Sequence, residues 1–170
     1  MEANLIVTYE PTHAGKAKEE VEDVLKDKQV TFLESKFDGV FLLHTNDDPK
    51  KIVIELTTLC EEEPFRFSKT FRWIPIEHWC NTDIKEMKRL TKQVSENIAP
   101  KDTWKMDIGR RGFQADVREL ILQLTEEIDK PNVDIKNPQK IVKVEIVGNR
   151  AGISLLNLDE CLTVSKTKME

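Results

Sequence analysis

Cysteine is scarce in this sequence and shows no pairing pattern: Cys60, Cys80 and Cys161 lie far apart and are odd in number. That argues against a disulfide framework and fits a reducing compartment, so a cytoplasmic location is expected. No apolar run approaches the roughly 20 residues that a membrane helix needs. The start, Met1-Glu2-Ala3-Asn4, has no basic segment ahead of a long apolar stretch, so neither a secretory signal nor a membrane association is expected. The recurrent catalytic motifs are missing as well. There is no glycine-rich phosphate loop, no G-x-G-x-x-G after a strand, no G-x-S-x-G elbow and no Cys-x-x-Cys. The nearest approach to metal-ligand spacing is His78-Trp79-Cys80, but a zinc site needs three or four ligands, and His13, His44, Cys60 and Cys161 are scattered. The abundant carboxylates, such as Glu19-Glu20 and Glu61-Glu62-Glu63, read as solvated helix faces and helix ends. No catalytic centre, metal or cofactor is therefore expected. A small metal-dependent enzyme built on His78 and Cys80 is the remaining enzymatic reading.

What the chain does have is a segregated charge. Its 170 residues, 39% hydrophobic and 34% charged, suffice for one ordinary domain or two small ones. The net charge of −5 argues against a nucleic-acid partner only if it is evenly spread. Residues 1–63 carry seven Lys/Arg against 15 Asp/Glu, whereas residues 64–118 carry 12 against seven and residues 119–170 carry seven against nine. A basic middle flanked by acidic ends points to a surface that faces a polyanion.

Periodicity divides the chain into two rhythms. The first half predicts a strand Asn4–Tyr9, a helix over 16–26, strands Val30–Leu33 and Val40–Leu43 with Asp38-Gly39 as a turn signal, a helix opening at Asp47-Asp48-Pro49, and a strand over 68–76. That order, βαββαβ, is a ferredoxin-like unit in which both helices can cover one face of an antiparallel sheet. The second half predicts a helix over 83–98 capped by Thr82 or Asp83, an alternating strand Thr103–Ile108, a helix over 115–129, a strand Ile141–Val147 and a last strand Ile153–Leu156. Gly109-Arg110-Arg111-Gly112 and Gly148–Gly152 interrupt these elements as loops. The expected fold is α+β, an N-terminal ferredoxin-like βαββαβ unit (1–75) packed on a C-terminal α/β domain (76–165).

Two basic segments carry the functional reading. Arg66-Phe67-Ser68-Lys69-Thr70-Phe71-Arg72-Trp73 interleaves cations with rings, as a surface that clamps phosphates and stacks bases would. It reads equally as a strand with buried aromatics and solvated cations outside. Arg110 and Arg111 between two glycines are the sharper feature, because glycine lets the backbone approach a ligand and the arginine fork matches phosphate oxygens. Lys105 lies on the outer face of the same strand, and Lys88, Arg89 and Lys92 on the polar side of the preceding helix extend the patch.

Taken together, Arg72-Trp73-Ile74-Pro75-Ile76, the helix over 83–98, Trp104-Lys105-Met106-Asp107-Ile108-Gly109-Arg110-Arg111-Gly112, the helix over 115–129, Val133-Asp134-Ile135-Lys136-Asn137-Pro138 and Ile141–Val147 resemble a THUMP domain. The resemblance spans roughly residues 65–160, and the family profile is expected to begin as early as about residue 60. It implies RNA binding, with tRNA as the ligand and its acceptor end as the usual contact, and a ferredoxin-like domain ahead of the THUMP domain. Most THUMP proteins are fused to a tRNA-modifying enzyme. The chain reaches Glu170 without the motifs of such enzymes, so it is similar to the THUMP-only group, the tRNA-acetylation adaptors that serve a separate acetyltransferase making 4-acetylcytidine. The expected phosphate contacts are Lys69, Arg72, Lys101, Lys105, Arg110 and Arg111, with Asp107 a departure inside the basic strand. The alternative is a protein–protein docking module with weak or no RNA binding, its acidic first half serving as the docking surface.

Overall fold

The computed structural model describes residues 1–168. The chain forms two compact units, one made of Met1–Ile76 together with the segment from Asp159 onward, the other of Glu77–Leu158. Each carries its own sheet, and the mixture of helices and antiparallel and parallel strands makes the fold α+β.

The first unit follows the predicted order. Strand β1 (Leu5–Tyr9), helix α1 (Ala14–Val24), strands β2 (Val30–Leu33) and β3 (Val40–Thr45), helix α2 (Pro49–Glu62) and strand β4 (Thr70–Pro75) build an antiparallel sheet in which β1 lies between β3 and β4. Local chemistry sets the boundaries. Gly39, at φ 83°, supplies the left-handed residue of the β2–β3 turn. Asp48 starts α2 by accepting the Lys50 backbone N–H at 2.9 Å, with Pro49 at the first helical position. Both helices cover one face: Val21 and Leu25 from the first helical stretch and Ile52, Val53, Leu56 and Cys60 from α2 pack on Leu5, Val7, Leu43 and Trp73.

Three features of this unit depart from the sequence reading. First, β4 begins at Thr70, because Glu20 on α1 accepts the backbone N–H groups of Ser68 (2.8 Å), Lys69 (2.9 Å) and Thr70 (2.9 Å). Glu20 is thus the acceptor for three otherwise unpaired donors ahead of the ladder, not one more solvated helix carboxylate. Second, β4 is bulged. Thr8 faces Arg72 and Tyr9 faces Thr70, so Phe71 has no partner residue and is pushed outward while Trp73 is fully buried. Third, residues 76–165 were expected in one domain, whereas from Asp159 the chain lies with the first unit. There β9 (Leu162–Thr163) pairs with Arg72 and Trp73 of β4, and a short helix α5 (Val164–Lys168) follows. Leu162 and Val164 join the first core.

The second unit has strands in the order β5 (His78–Asn81), β8 (Arg150–Asn157), β7 (Lys140–Val147), β6 (Trp104–Arg111), with β6 and β7 parallel and the other pairs antiparallel. Helix α3 (Ile84–Ser95) is capped by Asp83, which accepts from Lys85 and Glu86, and α4 (Val117–Thr125) by Asp116, which accepts from Glu119. Met87, Leu90 and Val94 of α3 and Leu120 and Leu124 of α4 pack on Met106, Ile108, Val142, Val144, Ile146 and Ile153. Two expected loops are strand instead. β6 runs through Gly109-Arg110-Arg111 in register with Glu145-Ile146-Val147, and β8 begins at Arg150, leaving Gly148-Asn149 as the turn. The His78-Trp79-Cys80 motif is strand β5, paired with Ala151–Ile153. Among the described residues no helix is long and apolar enough to cross a membrane.

Replacing Glu20 by Ala removes the common acceptor of three backbone donors. The expected loss is about 1.5–3 kcal/mol of unfolding free energy in urea titrations, with Glu20→Gln retaining part of it. A loss below about 0.5 kcal/mol would mean that water replaces the carboxylate.

Candidate nucleic-acid interface

Strand β6 places two kinds of side chain on its two faces. Trp104, Met106 and Ile108 enter the core, so Lys105, Asp107, Gly109 and Arg111 share the opposite face. Asp107 sits beside Lys143 of β7, its register partner, with Nζ–Oδ2 at 3.0 Å, and the same ammonium lies 2.7 Å from Glu145 Oε1. Lys143 is only 1% exposed, so its charge is compensated by two carboxylates rather than by bulk water. Asp107 is therefore committed to an internal ion pair. The one acidic interruption of the basic strand is thus ion-paired, through an ammonium that it shares with Glu145. The Glu145 carboxylate lies over Gly109, and a Cβ on that residue would meet both carboxylate oxygens, so any larger residue must displace this carboxylate.

The arginine end of β6 is tied to the start of α3. Gly112 turns the chain with φ 65°. The Gly148 N–H donates to the Arg111 carbonyl at 2.7 Å, the Thr82 N–H donates to the Asn149 carbonyl at 3.0 Å, and the Thr82 hydroxyl donates to the Gly148 carbonyl at 3.0 Å. Adjacent residues of a strand face opposite ways, so Arg110 and Arg111 do not form one fork. The Arg110 guanidinium donates to the Phe113 carbonyl at 3.3 Å, while Arg111 lies in the row that crosses Val147 to Arg150. Arg150 in turn donates to Asn81 Oδ1 at 3.0 Å.

From that end, α3 presents Lys85, Lys88, Arg89 and Lys92 to an open groove of about 620 Å³, completed by Gln93, Glu96 and Glu127. The spacing explains the convergence: residues three, four and seven apart lie on one side of a helix. The apolar positions Met87, Leu90 and Val94 occupy the other side. Lys88 pairs with Glu126 at 3.0 Å, a hydrogen bond that raises its pKa and keeps it cationic.

The six residues expected to contact phosphate separate into three pairs. Lys69 and Arg72 belong to the first unit, at the start of β4. Lys101, exposed in the turn before β6, and Lys105 lie at one end of that strand. Arg110 and Arg111 lie at the other, roughly 20 Å away for a strand of this length. The contiguous cationic surface of the second unit is on α3, whose Lys85 the sequence reading did not include. Its spacing from Lys88, Arg89 and Lys92 was the available sign. Among the described residues no group of three or more His, Cys, Asp and Glu could hold a metal ion. Cys80 is part of the core, and burial pushes its thiol up, away from the reactive thiolate.

Residues 81–156 match the family model described as THUMP domain, so a THUMP domain is present in the chain. This region holds α3, β6, α4, β7 and nearly all of β8. The chain shares its fold with larger proteins of known structure. PH1313 from Pyrococcus horikoshii is 17% identical at a TM-score of 0.62, over 92% of this chain and 55% of that one. TrmN from Thermus thermophilus is 12% identical at 0.57, over 89% and 44%. A 4-thiouridine synthetase solved as an RNA complex with bound ATP is 14% identical at 0.53, over 96% and 42%. The chain thus spans about half the length of these proteins. No curated protein matches it.

Two substitutions test the ion-pair face. Lys143→Met strands two carboxylates on a largely buried face and is expected to cost about 3–5 kcal/mol of stability. Gly109→Ala forces the Glu145 carboxylate off its partner and is expected to cost about 1–3 kcal/mol. Thermal or urea unfolding measures both, and a neutral Lys143→Met would show that the pair contributes nothing net.

Proposed function

We propose that the protein binds tRNA and presents it to a separate RNA-modifying enzyme. The observation that carries this reading is the groove along α3, where Lys85, Lys88, Arg89 and Lys92 line one open surface inside the region that matches the THUMP domain. Lysine and arginine in a row on a helix can neutralise successive phosphates, and each one engaged releases counterions from the nucleic acid. The surface is wide and open, which suits a folded polyanion better than a small substrate. Arg110 and Arg111 add a cation to each face of β6 beyond the start of α3. In this reading the chain supplies no catalytic centre of its own and acts in the cytoplasm, and the chemistry belongs to the partner. By analogy with the THUMP-only tRNA-acetylation adaptors, that partner is an acetyltransferase forming 4-acetylcytidine.

A second reading is a docking module whose business is the enzyme rather than the RNA. It is favoured by the acidic residues 1–63, with 15 carboxylates against seven cations.

Binding of the purified protein to total tRNA across a salt series separates the two. The adaptor reading expects strongly salt-sensitive binding. Removing Lys85, Arg89 and Lys92 together by alanine substitution is expected to flatten the slope of log K against log salt by about 2.1–2.7, and Arg110→Ala with Arg111→Ala by about 1.4–1.8. Unchanged slopes would remove these residues from the interface. Absence of binding at low salt, with an enzyme that co-purifies after nuclease treatment, would establish the docking module instead.

A further inference from the structure

The bulge in β4 does more than interrupt an alternation. It turns Phe71 outward, 47% exposed, two residues from the fully buried Trp73. Phe71 lies on the wall of a cavity of about 330 Å³ whose other lining includes Ser68, Arg72, Thr163, Ser165 and Lys168. All of these residues belong to the first unit. The returning chain completes the site: β9 pairs Thr163 with Arg72, and α5 brings Ser165 and Lys168 to the same opening. A bulge, a C-terminal strand and a short helix thus converge on one exposed ring bordered by two cationic residues and four hydroxyl residues.

That combination is chemically selective. An exposed aromatic face gains by stacking on another flat π-system, and cations beside it favour an anion attached to that system. The cavity falls within the size range of small-ligand clefts. A nucleotide has both parts, a planar base and a phosphate on a short tether. We propose that this cavity takes one unpaired nucleotide of bound RNA, its base stacked on Phe71 and its phosphate facing Arg72 and Lys168. The proposal rests on the RNA-binding reading and adds a base-stacking contact in the first unit to the phosphate-tracking groove of the second.

The test uses the full chain and two RNA hairpins, one blunt and one with a short single-stranded tail, with AMP as a free-nucleotide control. The wild type is expected to favour the tailed hairpin. Phe71→Leu, which keeps the apolar bulk and loses the ring, is expected to weaken tailed-hairpin binding roughly five- to 100-fold, the range of one lost base stack. Phe71→Tyr is expected to retain it. Because stacking releases few counterions, the salt slope of Phe71→Leu should stay that of the wild type. Wild-type affinities equal for the two hairpins, or a Phe71→Leu variant as discriminating as the wild type, would overturn the stacking site while leaving RNA binding intact. Binding of AMP as tight as the tailed hairpin would overturn an RNA-borne ligand in favour of a free nucleotide. Failure of the wild type to bind either hairpin at low salt would overturn the RNA-binding reading, and this site with it.

Discussion

The arrangement of the second unit depends on a lysine that water does not reach. Lys143 stands on β7, a central strand, and its ammonium is held by Asp107 from β6 and by Glu145 two residues further along its own strand. Removing a charge from water is costly, and the cost is offset only while both carboxylates stay in place. This makes the contact a register lock. A one-residue slip of β6 would turn Asp107 toward Met87, Leu90 and Val94 and would expose Met106 and Ile108 on the other face. A parallel neighbour also requires a crossover, and α4 supplies it between β6 and β7. With register and crossover both set, Arg110 and Arg111 can only lie at the far end of β6, beside the turn that starts α3.

Most of this architecture was legible in the sequence, because most of it is written locally. Asp48-Pro49 and Asp83 begin the helices they were expected to begin, and the apolar stripes Ile52–Cys60 and Met87–Val94 face the cores. What escaped depends on partners distant in sequence. Glu20 looks like any acid on a wet helix face until the segment 68–70, about fifty residues later, is folded against it. The exposure of Phe71 follows from pairing with Thr8 and Tyr9, which no run of residues around it encodes. Arg150-Ala151-Gly152 resembles a loop by composition, yet it has β7 on one side and β5 on the other, and ladder hydrogen bonds outweigh a weak local preference.

The candidate site was legible in kind and less so in place. Interleaved cations and rings over 66–73 left two readings open, and the one of buried aromatics describes part of the segment. Phe67 and Trp73 are core residues packed edge to face, and Arg66 is held by Asp23 and Glu63. Phe71 and Arg72, together with the buried Phe67, line a surface cavity with α5, and of the two phenylalanines only Phe71 is exposed. The Gly-Arg-Arg-Gly sequence was expected to be an exposed turn carrying two adjacent arginines. Its strand conformation sends the two arginines to opposite faces, so the contiguous cationic surface is the helix beside them.

The net charge of −5 then ceases to oppose a polyanionic partner. At physiological salt a phosphate senses charges within roughly 8 Å, not the total for the chain. Helix α3 carries four cations against a single acid, Glu86. The further acids beside it are Asp83, which caps the helix, Glu96 and Glu127 on the groove, and Glu126, which is engaged with Lys88. Asp107, the acid within strand β6, is paired with Lys143, which it shares with Glu145. A phosphate entering the groove therefore meets four cations against two acids, a local excess of positive charge that the composition of the whole chain conceals. The same screening means that this attraction should weaken steeply as salt rises, whereas a base stacked on Phe71 would keep its contact.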